Sequence, residues 1–97
     1  MFKLIYALLR NFTKYEEHHE FSYMMLGRLR CDCDYFLGYG NGYEARLWAN
    51  NINDHIAEMK RLYKSFPFFA KPEWLTYRQI KEYEKQMKEK RDKNEQL

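Results

Sequence analysis

Ninety-seven residues, 45% apolar and 19% aromatic, suffice for one compact unit with one core and leave no room for two. The net charge of +3, from 17 basic and 14 acidic side chains, excludes a DNA mimic, which has to be strongly acidic, and falls short of the clustered Lys/Arg stripe of a duplex-binding domain. Two cysteines separated by one residue cannot staple distant parts of a chain, so a disulfide scaffold is excluded and reduced thiols in a cytoplasmic setting are expected.

The chain opens on MFKLIYALLRNF, whose apolar run from Leu4 to Leu9 resembles a signal segment but is bounded by Lys3 and Arg10 and lacks a small-x-small cleavage pattern. It also falls short of the roughly 20 apolar residues of a bilayer span. We read an N-terminal helix within residues 1–12, with an interfacial membrane anchor as the second reading. Thr13 followed by Glu16 matches the capping box, in which hydroxyl and carboxylate satisfy first-turn amides, so a second helix is expected to start there and run to about Leu37. Phe21, Met25, Leu29 and Cys33 recur every four residues along it, with Phe36 next, as an apolar stripe.

Asn50 or Asn51 caps a third helix with Ile52, Ile56, Met59, Leu62 or Tyr63, and Phe66 on one face, and Pro67 ends it. The stretch YEARLWA between them is the one strand candidate. In the linker PFFAKPEWL, Phe68, Phe69 and Trp74 are expected to pin a rigid crossover against the core. Thr76 caps a fourth helix containing Ile80, Tyr83 and Met87, and residues from about 88 to 97 read as a solvated, fraying helix end. The expectation is an all-α, small single-domain helical bundle of three to four helices, with a glycine turn after the second helix. Leu47, Trp48, Trp74 and Leu75 join the stripe residues, Ile80 and Tyr83 in its core.

The segment RCDCDYFLGYGNG gathers cysteines, carboxylates and glycines, yet offers little chemistry. On a helix, residues two apart project about 200° from one another, so Cys31 and Cys33 cannot hold one ion from one face. A zinc site needs four ligands, and the adjacent His18 and His19 and the solitary His55 supply no recognisable set. No metal and no cofactor is expected. Cys33 reads as a small apolar core residue and Cys31 as the exposed thiol, with Arg28 and Asp32, and Arg30 and Asp34, spaced as surface ion pairs.

GYGNG lacks the GK[ST] ending of a phosphate loop and follows a helix rather than a strand. Gly38 is expected to close that helix in the left-handed conformation, with Gly40, Asn41 and Gly42 supplying the turn. No nucleophile, base and orienting group can be assembled from the remaining residues, so the chain is expected not to be an enzyme.

Two functions of different classes remain. The first is protein–protein interaction through Tyr39, Tyr43 and Arg46, residue types that anchor interfaces, at the glycine turn. The alternative is a nucleic-acid or nucleotide-binding module using Arg78, Lys81, Lys85 and Lys88 of the last helix together with the tyrosine-rich turn. Charge favours the first, because residues 74 to 97 mix seven basic side chains with five acidic ones and leave little net field.

MLGRLRCDCDYFLGYGN (Met25 to Asn41), LWA (Leu47 to Ala49), IAEMKRLY (Ile56 to Tyr63) and KPEWLTYRQIKEYEKQM (Lys71 to Met87) occur in that order. Together they resemble the eleventh of the large polyvalent protein-associated domains, over about residues 25–87. The resemblance implies a setting: very large multidomain proteins of phages and conjugative elements, or small free-standing proteins on such elements, acting in the cytoplasm of a bacterial host cell. It implies an accessory or anti-defence role, for example anti-CRISPR, with a host or defence-system protein as partner, and carries no catalytic residue set. No membrane span is expected, and the oligomeric state is left open.

Overall fold

A computed structural model describes the backbone from Phe2 to Glu95 and the side chains from His19 to Glu95. Three helices carry the fold: α1 (Phe2–Leu37), α2 (Ile52–Ser65) and α3 (Tyr77–Glu95). Short 3-10 turns at Glu44–Arg46 and Phe68–Ala70 occupy the two connections. The first and second expected helices are therefore one, since the backbone runs through Thr13 without a break. The reciprocal side-chain contacts expected of Thr13 and Glu16, and the apolar face expected of residues 1–12, lie outside the described side chains. No described helix is long and apolar enough to cross a membrane.

The core forms where the three helices meet. Leu26, Leu29, Cys33 and Phe36 of α1 pack on Ile52, Ile56, Met59 and Leu62 of α2 and on Ile80 and Met87 of α3, with Leu47, Phe66 and Leu75 closing it from the connections. Met25 and Tyr83 pack against it half-buried. Full burial of each aliphatic side chain contributes about 1.5–3 kcal/mol.

Three expected core residues lie outside it. Phe21 is 64% exposed, Trp48 is 54% exposed and Trp74 is 39% exposed. Phe21 fails because a four-residue step advances about 40° around an α-helix, so the line Phe21, Met25, Leu29, Cys33 drifts from solvent into the core. The buried line mixes steps of three and four, through Ser22, Leu26, Leu29, Cys33 and Phe36. Leu47 and Trp48 are neighbours that project apart, and the core takes Leu47.

Local chemistry fixes the helix ends. The Asn51 side chain accepts the Asp54 amide at 2.8 Å and caps α2. Thr76 and Gln79 form a reciprocal box at the start of α3: the Gln79 amide donates to Thr76 Oγ1 at 3.1 Å, and the Thr76 amide to Gln79 Oε1 at 2.9 Å. Helix α2 stops at Ser65, before Pro67, and the Lys71 ammonium donates to the freed carbonyls of Tyr63 at 3.1 Å and Phe66 at 3.0 Å.

The linker is pinned, but not by the residues expected to pin it. Phe68 and Phe69 turn outward, 87% and 75% exposed, edge to face with each other. Phe66 does the packing instead, stacked on Tyr23 with ring centroids 4.4 Å apart, and the Tyr23 hydroxyl donates to the Ala70 carbonyl. Pro72 and Leu75 are buried.

The surface ion pairs expected on α1 do not form. Arg30 lies over the Trp74 ring at 5.8 Å, and Asp34 accepts from the Tyr83 hydroxyl at 2.7 Å. Trp74, in the connection before α3, and Tyr83, on α3, take these side chains away from their helical neighbours.

Candidate interaction surface

The glycine turn ends α1 through backbone hydrogen bonds: Gly40 N–H donates to Tyr35 O at 2.6 Å and Gly42 N–H to Phe36 O at 2.8 Å. The left-handed residues are Asn41 (φ 49) and Gly42 (φ 77), not Gly38, whose amide still bonds back to Asp34 O at 3.0 Å. Gly40 is required for space, since an added Cβ would stand 2.8 Å from Tyr35 O.

The last turns of α3 brace this turn, where a fraying end was expected. Lys90 Nζ donates to Leu37 O at 3.1 Å and Asn94 Nδ2 to Asn41 O at 2.8 Å. The carbonyls that α1 leaves unpaired at its C-terminus recruit these donors, and a cation there complements the helix dipole. An added Cβ on Gly42 would collide with Asn94 Nδ2.

The following 3-10 turn is held just as firmly. Glu44 points inward, accepting the Ile52 amide at 3.1 Å at the start of α2 and approaching Arg91 of α3 at 4.0 Å. YEARLWA is therefore not a strand. Its acidic residue is committed to a helix N-terminus, where negative charge is favoured.

With Glu44 and Leu47 turned in, Tyr43, Arg46 and Trp48 are turned out. Arg46 Nη1 donates to the Tyr35 hydroxyl at 2.7 Å while its guanidinium lies 5.8 Å from the Tyr35 ring, which fixes a flexible side chain in place. Tyr39, at the tip of the glycine turn, is 95% exposed. Tyr39, Tyr43 and Arg46 are thus all solvent-facing on a rigid support.

Trp48 also borders an open groove of about 370 Å³ between α1 and α2, with Phe21, Met25 and Leu62 as its other apolar walls and Glu58 and Arg61 at its edge. The hydrogen bond from Arg61 holds the Glu58 carboxyl below its usual range, so this rim stays ionised. Sequence reasoning missed the groove because it assigned Phe21 and Trp48 to the core. It missed the outward Phe68 and Phe69 for the same reason.

Arg78, Lys81, Lys85 and Lys88 lie on one side of α3: Lys88 borders α2 through Glu84, at 3.6 Å, which is 3.4 Å from Lys60, while Arg78 and Lys85 are exposed nearly opposite the buried Ile80 and Met87. Lys90 and Asn94, which hold the glycine turn, project from another flank of that helix. The structure therefore does not join the four basic residues and the tyrosine turn into one surface.

Burial pushes the Cys33 thiol up to about 12, with the neighbouring Asp34 and Asp32 adding to the effect. Cys31 is exposed. His55 is fully buried, with Nε2 2.9 Å from Leu29 O; a carbonyl only accepts, so Nε2 carries the proton. Among the described residues, no group of three His, Cys, Asp or Glu side chains is placed to hold a metal ion.

Residues 19–87 match the family described as Large polyvalent protein-associated domain 11. The chain belongs to that family. The matched span starts earlier than the motifs quoted above, at His19, whose ring meets Phe66 edge to face at 5.5 Å. It covers all of α2 and the glycine turn and stops at Met87, the last buried residue of α3. No curated protein and no solved structure matches the chain.

Proposed function

We propose that this polyvalent protein-associated domain is a non-enzymatic accessory module of a phage or conjugative element, acting in the host cytoplasm. It occupies a host or defence-system protein, for example a CRISPR nuclease. The observation that carries this reading is the outward display of Tyr39, Tyr43, Arg46 and Trp48 at and beside a turn braced from α3. Aromatic residues and arginine dominate interface energetics, and a support already fixed by Lys90, Asn94 and Glu44 reduces the ordering cost of binding. Family membership supports the genomic setting. The placement of the reactive groups supports a non-catalytic role, since Cys33 is buried and protonated and the His55 Nε2–H is committed to a backbone carbonyl.

The test is affinity capture from a bacterial host lysate with and without nuclease treatment, comparing the natural chain with Tyr39→Ala/Tyr43→Ala/Arg46→Ala. The expected result is one specific protein that survives nuclease and is lost with the triple variant, while the melting temperature barely moves. Capture that the triple variant leaves intact overturns the assignment of the surface.

A further inference from the structure

Between Arg78 and Lys88 the basic side chains of α3 share one side of the helix. Arg78, Lys81, Lys85 and Lys88 fall within about 80° of arc, with Lys81 and Lys88 at its edge toward α2. Gln79, Glu82 and Gln86 lie on the flank toward α1, where they line one pocket with Arg30. Helix α2 adds Lys60 and Lys64 across the seam. The Lys64 and Lys81 ammonium groups lie 5.3 Å and 5.2 Å from the centroid of the same Tyr77 ring. Lys60 and Lys88 share the one carboxylate of Glu84, at 3.4 Å and 3.6 Å. Among the described residues, no carboxylate stands within 4 Å of Lys64, Arg78, Lys81 or Lys85. Lys60 and Lys88 thus flank Glu84 while Lys64 and Lys81 gather at Tyr77, a concentration that the mixed charge of the tail conceals.

We propose that this α2–α3 face binds the phosphodiester backbone of a nucleic acid without regard to sequence, with Lys64, Arg78, Lys81 and Lys85 neutralising phosphates. The cations form a row: Arg78 to Lys88 spans about 15 Å at 1.5 Å per residue, suited to a partner whose charges repeat at about 3.4 Å per strand. Its aromatic content is two half-buried rings, Tyr63 and Tyr77, 5.9 Å apart. The exposed apolar anchors that a protein partner requires are elsewhere, at Trp48, Phe21 and the glycine turn. Lysine heads act as compact point charges, which position a backbone but read no bases.

The test is fluorescence anisotropy of labelled oligonucleotides, single-stranded and duplex, titrated with the full chain. Binding of either form is expected to weaken about 100-fold between about 50 and 200 mM salt, as four neutralised phosphates require. Lys64→Gln/Lys81→Gln, two exposed positions, should weaken it on the order of 50-fold at about 0.1 M salt and flatten the salt dependence. Lys93→Gln, on the other flank of α3, should leave the salt dependence unchanged. The proposal is overturned by absence of binding to both forms at low salt, by an equal loss with Lys93→Gln, or by tighter binding to polyglutamate than to either oligonucleotide.

Discussion

The imidazole of His55 donates Nε2–H to the backbone carbonyl of Leu29 at 2.9 Å, joining α2 to α1 inside the core. His55→Ala removes a fully buried ring, and the cavity should cost about 2–4 kcal/mol. His55→Leu nearly keeps the volume and loses the donor, together with the buried Nδ1 that is unpartnered among the described residues, for about 1 kcal/mol. Urea denaturation of the two variants separates packing from hydrogen bonding. Equal losses would show that the hydrogen bond, not the volume, matters.

The two thiols should behave differently. Near pH 8, a thiol reagent is expected to modify one cysteine in the folded protein, Cys31, and both in denaturant. The Cys33 thiol is raised from 9.0 to about 12, so below pH 9 it is neutral in both states and its burial is unopposed. Between pH 9 and about 12 the unfolded chain loses this proton and the folded chain keeps it, so stability falls across that window. Cys33→Ala should remove this part of the alkaline loss in pH-dependent melting. An unchanged profile would contradict it.

Leu26 and Trp48 should exchange the importance that their sizes suggest. Leu26→Ala leaves a hole among fully buried neighbours and should cost about 2–5 kcal/mol. Trp48→Ala removes a ring that is more than half exposed and should cost about 1 kcal/mol or less, while lowering partner capture. Chemical denaturation measures the first effect and lysate capture the second.

The capping box of α3 should be worth about 1 kcal/mol. Thr76→Ala removes the acceptor of the Gln79 amide, and Thr76→Ser restores it. Circular dichroism melting in which alanine and serine behave alike would remove the cap from the account.

Much of this fold was legible because its signals are local. The asparagine and threonine caps, Pro67 as a stop and the three-to-four spacing of Ile52, Ile56, Met59 and Leu62 each depend on residues within one or two turns. His55 occupies that same buried line, so its place in the core was readable and was passed over for its polarity. What escaped depends on tertiary partners. Phe68 and Phe69 read as anchors because they are large, yet Tyr23 selects Phe66 to stack on and ties down Ala70 beside them. The contribution of Lys60 and Lys64 to the basic row of α3 escaped because they come from another helix. The exposure of Tyr39 and Tyr43 was not legible, because a tyrosine beside a glycine turn packs a core as readily as it faces solvent; nor was the bracing from α3 that holds the turn.

The brace from α3 to the end of α1 matters for anyone excising or transplanting this module. The family match stops at Met87, but Lys90 and Asn94, which hold Leu37 and Asn41, follow it. A fragment cut at the family's C-terminal boundary would keep every buried side chain among the described residues and still release the tyrosine turn. In a fusion, the working C-terminal border is therefore Glu95 or beyond, and a linker belongs there rather than after Met87.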